Sequence, residues 1–204
     1  LGACIGDAFA GRQLGKKAMF WGAMSQSLPD IDFVASIWSS TTEGLLAHRG
    51  FTHSILFALI MAPLLALAAE RWHRPHNISL KKWILFFGVQ ILIHLFIDVM
   101  NVYGVGWFEP FSHHRVSYNW IYVADPFYSV WLGISFVVLL LLQGNHPKRK
   151  WWVEFGVGMS TIYLLYCGLN KIKIDNDVKD VFKKQQISYN KFFTTPTPLN
   201  NWLW

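Results

Sequence analysis

Cysteine is nearly absent. Cys4 and Cys167 are the only two among 204 residues, and both lie in apolar surroundings, which argues against a disulfide framework and against a thiolate zinc knuckle. Charge is scarce as well: 15% of residues are charged, against roughly 25% in average soluble domains. No repeat or low-complexity run is visible. No histidine stands directly beside an aspartate, which sets aside the HD-type phosphohydrolases. The formal net charge is +6, but the basic residues are scattered between apolar runs. That pattern belongs to loops flanking membrane spans, and no nucleic-acid partner is expected.

What is abundant is apolar. The chain is 53% hydrophobic and 17% aromatic, with 11 Trp, and its mean hydropathy is +0.28. Tryptophan at this density suits anchoring at two lipid boundaries. Four segments span or nearly span a bilayer: residues 51–69, 83–105, 127–142 and 151–169. Two shorter apolar stretches, 1–10 and 18–28, precede them and read as half-helices packed on the bundle. The fold class expected is an all-α polytopic membrane protein. It comprises a bundle of about four spanning helices, shorter N-terminal helices and a small C-terminal extramembrane tail. The domain reading is 1–169 for the membrane-embedded part and 170–204 for the tail. Both ends read as trimmed, which leaves room for a further ligand upstream of Leu1.

The loops alternate in character. Arg12, Lys16 and Lys17, then Arg71, Arg74, Lys81 and Lys82, then Lys148, Arg149 and Lys150 mark one end of the bundle. The loops 29–50 and 106–126 carry acids and histidines and mark the other. The positive-inside tendency assigns the basic end to the cytoplasm, so the acids and histidines are expected on the extracytoplasmic side.

His94 and Asp98, four residues apart within an apolar run, leave one helix face, and Asn101 is expected to extend that face by a further turn. Ionisable groups at such depth must pair, face water or bind an ion, and a histidine with a carboxylate suits a divalent metal. Asp30 and Asp32 follow Pro29; in extended backbone both would address one ion, or they cap a helix end. His48 and His53 bracket Arg49, Gly50, Phe51 and Thr52. Thr52 is the expected cap of the span that opens at His53, Gly50 allows the turn, and Arg49 can fork onto a phosphate or carboxylate. Asp125, before Pro126, is a ligand, a general base or a cap. His113 and His114 read as a solvated rim near Arg115. Asp7 is a weaker ligand candidate, and His73 and His76 lie on the basic side, apart from the site.

The expected ligand set is thus Asp30, Asp32, His48, His53, His94, Asp98 and Asp125. It exceeds one four-coordinate ion and suits two or more, zinc or manganese, sharing bridging carboxylates. The reading favoured is a metal-dependent hydrolase that activates water, with Asp125 as proton acceptor and Arg49 and Arg115 holding an anionic group. A site at the bilayer edge suits a lipid or lipid-linked substrate. The alternatives are a divalent metal transporter and a non-catalytic membrane protein with a structural metal cluster.

The motifs Leu28-Pro29-Asp30-Ile31-Asp32, His48-Arg49-Gly50-Phe51-Thr52-His53-Ser54, His94 to Asp98, Asp125-Pro126 and the late Pro196 to Trp204 stretch resemble those of the YdjM-like inner-membrane metal-dependent hydrolases of bacteria. The likeness covers nearly the whole chain. It implies a distant similarity to zinc-dependent phospholipase C, all-helical with clustered zinc ions, and hence phosphoester hydrolysis by analogy. Family members usually carry a Thr-His pair just ahead of the segment matching Leu1-Gly2-Ala3. That pair is not in this sequence, so the expected set lacks one ligand.

Overall fold

A computed structural model describes residues 1–32, 49–73 and 78–204. His48 and His76 lie outside these residues. Six α-helices are formed among them: α1 (Gly2–Leu14), α2 (Lys16–Ser27), α3 (Ile55–His73), α4 (Leu80–Val99), α5 (Pro126–Leu141) and α6 (Lys148–Lys184). They pack as three antiparallel pairs, α1 with α2, α3 with α4, and α5 with α6, joined mainly by α2 on α4 and α1 on α6. The protein is all-α and multi-pass.

Three helices, α3, α4 and α6, are long and apolar enough to cross a membrane, and α5 is a shorter apolar helix. Leu59 on α3 is 68% exposed and Leu169 on α6 is 69% exposed. In water each such side chain would forgo about 1.5–3 kcal/mol of burial, so these faces belong against lipid. At 13 and 12 residues, α1 and α2 reach only about 20 Å, short of a hydrocarbon core near 30 Å. They cross at contact distance through small residues: a Cβ at Gly6 would stand 2.3 Å from the Ala18 carbonyl oxygen, and one at Gly22 would stand 2.2 Å from that of Gly2.

Two boundaries differ from the sequence expectation. The second span ends at Val99, not at residue 105. There the side chain of Asn101 accepts from the Tyr103 amide at 2.9 Å, and Gly104 turns at φ 68°. Val105 then pairs with Val116, and Asn101 with Ile121. Asn101 therefore leaves the helix and does not add a turn to its face. At the other end of the chain, α6 runs 37 residues without a break, about 55 Å. The change of composition at 169/170 falls inside this helix. Its polar last turns carry their own i,i+4 support, with Lys171 Nζ 2.7 Å from Asp175.

The basic end of the bundle is held by groups that carry no local sequence signal. Asp7 of α1 accepts from Arg149 of α6 through Nε at 3.2 Å and through Nη2. Arg149 Nη1 also donates to the Leu139 and Leu142 carbonyls at 2.7 and 2.8 Å. It thereby closes the C-terminal turn of α5, where a cation is favoured by the helix dipole. Asp7 is thus a partner in a buried ion pair and not a metal ligand. His73 lies at this same end, its Nε2 accepting from Trp21 Nε1 at 2.8 Å.

Candidate metal centre

At the opposite end four helix termini converge: the C-termini of α2 and α4 and the N-termini of α3 and α5. Residues 29–32 continue α2 as a 3-10 turn, and Phe51–His53 forms a second such turn ahead of α3. The first corrects the expectation of an extended Pro-Asp-Ile-Asp. With three residues per turn, side chains two apart diverge by about 120°, so Asp30 and Asp32 do not point the same way. They approach His53 from its two sides. Asp30 Oδ1 is 3.4 Å from Nε2 and Asp32 Oδ2 is 3.3 Å from Nδ1.

The second turn corrects the cap. Ser54, not Thr52, opens α3, its Oγ accepting from the Phe57 amide at 3.0 Å. Thr52 instead donates to Asp32 Oδ2 at 2.9 Å. The positive φ lies at Arg49 (61°) and not at Gly50. A side chain in this region costs roughly 1–2 kcal/mol, and several contacts hold it there. The Arg49 amide donates to Asp32 Oδ2 at 2.7 Å, and its carbonyl accepts from the Gly106 amide at 3.0 Å. Its guanidinium donates to Asn101 Oδ1 at 2.7 Å and lies 5.4 Å from the Tyr103 ring centre.

Asp30, His53, His94 and Asp98 each direct one ligand atom to a common centre, all within 4.8 Å of one another. His53 Nε2 lies 3.4 Å from Asp30 Oδ1, 3.2 Å from Asp98 Oδ2 and 3.3 Å from His94 Nε2. His94 Nε2 lies 3.6 Å from Asp30 Oδ1 and 3.4 Å from Asp98 Oδ2. A tetrahedral ion with bonds of about 2.0–2.1 Å has ligand edges of about 3.3–3.4 Å. These five separations match it. Burial and charge point the same way. Asp98 Oδ2 is buried and stands 3.2 and 3.4 Å from the two imidazole nitrogens, so a cation held among the four groups would answer its charge. The four groups can therefore coordinate a divalent metal.

Electrostatics around His53 describe the same need. Burial by itself lowers the pKa of its imidazole. Its interactions with Asp30, Asp32 and Asp98 outweigh that and raise it to about 10. Burial likewise pushes the Asp32 carboxyl up, but His53, the Arg49 amide and the Thr52 hydroxyl hold it well below the usual carboxylate range. Three carboxylates gathered on one imidazole are an excess of negative charge that a proton partly answers.

The remaining sequence candidates stand elsewhere. Asp125 caps α5, its Oδ1 accepting from the Phe127 and Tyr128 amides at 2.8 and 3.3 Å and its Oδ2 from Tyr163 Oη at 2.9 Å. Both oxygens are engaged away from the cluster. The Arg49 guanidinium is buried on Asn101 and, at 3.8 Å, on Asp98, where it braces a cluster residue. Arg115 lies on the loop beside the Val105–Val116 bridge, and neither arginine lines the cavity described next. His113 is exposed and paired with Glu109 at 2.7 Å.

A cavity of about 430 Å³ opens beside the cluster, where the Asp30 side chain is 49% exposed. Asp30, His94 and Asp98 form one wall. Tyr128 and Ser129 of α5 and Gln26 near the end of α2 line the cavity as well. Gln26 carried no sequence signal; only the convergence of α2 on this end places it there.

Asp32 at His53 Nδ1 has the position of a carboxylate that fixes the tautomer and orientation of a metal-ligating imidazole. Asp32→Asn is expected to weaken divalent-metal affinity by about 10–100-fold, with full occupancy restored at high metal. Competition titration against a chromophoric chelator measures it. A loss of thermal stability with unchanged affinity would make the contact purely structural.

The sequence model of the family described as YdjM inner membrane protein matches residues 1–174. The inner membrane protein YbcI of Escherichia coli (strain K12) is 32% identical over 119 residues, which are 57% of this chain and 67% of that one. The uncharacterized protein YfhP of Bacillus subtilis (strain 168) is 25% identical over 146 residues, 72% of this chain but 41% of that protein. No solved structure matches.

Proposed function

The chain belongs to the YdjM inner membrane protein family, and from that premise we propose that it is a membrane-embedded metal-dependent hydrolase acting on a phosphoester. The observation that carries this reading is the convergence of Asp30, His53, His94 and Asp98 beside a cavity. Two imidazoles with two carboxylates on such edges favour zinc over manganese, which prefers six oxygen-rich ligands. Two or more ions were expected from seven ligands. Four converge here, while Asp32 and Asp125 are engaged otherwise, so the described residues support one. A divalent ion held there supplies Lewis acidity and brings the pKa of a coordinated water toward neutrality.

The chain's own groups have separable tasks. Asp32 orients His53, and Arg49 with Asn101 holds Asp98. Asp125 fixes the first turn of α5, so that Tyr128 and Ser129 stand at the cavity. The loop cations Arg12, Lys16, Lys17, Arg71, Lys81, Lys82, Lys148, Arg149 and Lys150 gather at the far end of the bundle, which favours an extracytoplasmic cluster by the positive-inside tendency. Substrate would then arrive from the outer leaflet.

The half-exposed Asp30 speaks for a working centre over a structural ion, which protein ligands would enclose. A transporter would be expected to place its ligands near the bilayer midplane, whereas these lie at helix ends. Turnover of phospholipids and soluble phosphodiesters by purified protein, with and without chelator, tests the proposal. Chelator-sensitive release of the phosphoester product supports it. Absence of turnover across both substrate classes by the metal-loaded protein contradicts it.

The raised pKa of His53 has a direct consequence for metal binding. Below about 10 the imidazole carries a proton that the ion must displace. Apparent affinity is therefore expected to rise about tenfold per pH unit between about pH 6 and about pH 8, with release of one proton. Titrations at several pH values, corrected for the competing chelator, check the slope. A flat profile would contradict the raised pKa of His53.

A further inference from the structure

The cavity beside the cluster is polar at one end only. On α5 its lining residues Ser129, Leu132, Gly133 and Phe136 recur at i, i+3, i+4 and i+7, one face of the helix. This face starts with Ser129 in the first turn of α5, is apolar from Leu132 on, and reaches about 10 Å along the helix to Phe136. Ile97 of α4 lines the cavity too. Helix α5 leans on α6 and α1 rather than on α4, so the cavity occupies the gap between α4 and α5. Gly133 widens it, since a Cβ built there meets no atom within 4 Å.

The polar end has a donor in waiting. Gln26 lines the cavity with Asp30, and its buried amide nitrogen has no acceptor among the described residues. A buried N–H without a partner is costly, and the substrate's oxygen would relieve it. The apolar stripe and the orphaned amide are independent features of one cavity.

Building on the hydrolase reading, we propose that this cavity is a two-part seat for a single-chain or lipid-anchored phosphate ester. Gln26 donates to a phosphoryl oxygen beside the cluster, and the hydrocarbon chain lies between α4 and α5 against Leu132, Gly133 and Phe136. The seat selects substrates that carry a chain and admits them sideways from the bilayer. Gln26 is a substrate-binding residue in this arrangement.

The test compares dodecyl phosphate with methyl phosphate on the zinc-loaded full chain in zwitterionic nanodiscs, reading equilibrium binding by calorimetry. Partition of the long chain into the disc is common to all variants, so ratios between variants report the cavity alone. Gly133→Leu is expected to weaken dodecyl phosphate at least about tenfold while leaving methyl phosphate and metal content unchanged. Gln26→Ala is expected to weaken both ligands about tenfold or more, as for a lost hydrogen bond to a charged group. Dodecyl phosphate binding that ignores Gly133→Leu, or a Gly133→Leu variant that loses both ligands equally, overturns the chain seat. Unchanged binding of both in Gln26→Ala overturns the donor role. Failure here with soluble diesters still hydrolysed would leave the hydrolase standing; chain-selective binding without any turnover would leave the seat and remove the hydrolase.

Discussion

His53→Ala is expected to lower the divalent-metal affinity by at least about 100-fold, beyond the range of an outer-sphere change, so that purified protein carries almost no ion. The imidazole sits at the centre of the cluster. Its Nε2 lies within 3.4 Å of Asp30, His94 and Asp98, and its Nδ1 is 3.3 Å from Asp32. Without it three carboxylates face one another across a void, and only one imidazole remains to share a cation with them. Elemental analysis after gel filtration reads the outcome, and His94→Ala should behave alike. Circular dichroism separates loss of the site from loss of the fold, because His53 precedes α3 and Ser54 still caps that helix. Full metal content in both folded variants would contradict the ligand assignment.

Asp7→Ala is expected to be the most damaging change away from the cluster, destabilising the bundle by about 3–5 kcal/mol. Its partner Arg149 has a side chain only 6% exposed, and Asp7 itself is 4% exposed. Removing the carboxylate leaves a buried guanidinium whose Nη1 still meets the ends of α5 but whose other face has lost its counter-charge. The two residues tie α1 to α6 across 142 positions, so the loss is felt by two helix pairs at once. Denaturant or thermal unfolding in a fixed detergent gives the midpoint. A paired apolar replacement, Asp7→Leu with Arg149→Met, should recover much of the loss, as buried ion pairs exchanged together often do. An unchanged midpoint in Asp7→Ala would show that the pair contributes nothing.

Legibility in the sequence followed the range of each interaction. His94 and Asp98 share a helix face by spacing alone, and their 3.4 Å approach in α4 is what i,i+4 geometry produces. The all-α, multi-pass outline was legible because apolar runs of this length have few other solutions, although three of the four expected spans are long enough to cross. Backbone form was less so. Pro29-Asp30-Ile31-Asp32 is compatible with strand or turn, and only the tertiary setting winds it into a 3-10 turn that divides the two carboxylates between the His53 nitrogens. Thr52 and Ser54 are both capable caps, and the choice depends on Asp32, which takes the Thr52 hydroxyl. Polar composition after Asn170 marks a change of character but not the end of α6, which continues through Lys184 because side-chain pairs such as Lys171 with Asp175 support a helix as well as a loop. Arg149 looked like one of three loop cations, and nothing local distinguishes the one that meets Asp7. The positive φ at Arg49, beside a glycine, is likewise imposed by contacts with Asp32, Asn101 and Gly106, all distant in sequence.

X-ray absorption at the zinc edge on the purified, zinc-loaded full chain addresses the four-ligand centre most directly. The account predicts a first shell of nitrogen and oxygen at about 2.0–2.2 Å, with outer-shell scattering from two imidazoles and no sulfur near about 2.3 Å. A chain that retains no zinc, or an ion whose spectrum lacks imidazole scattering, would contradict it.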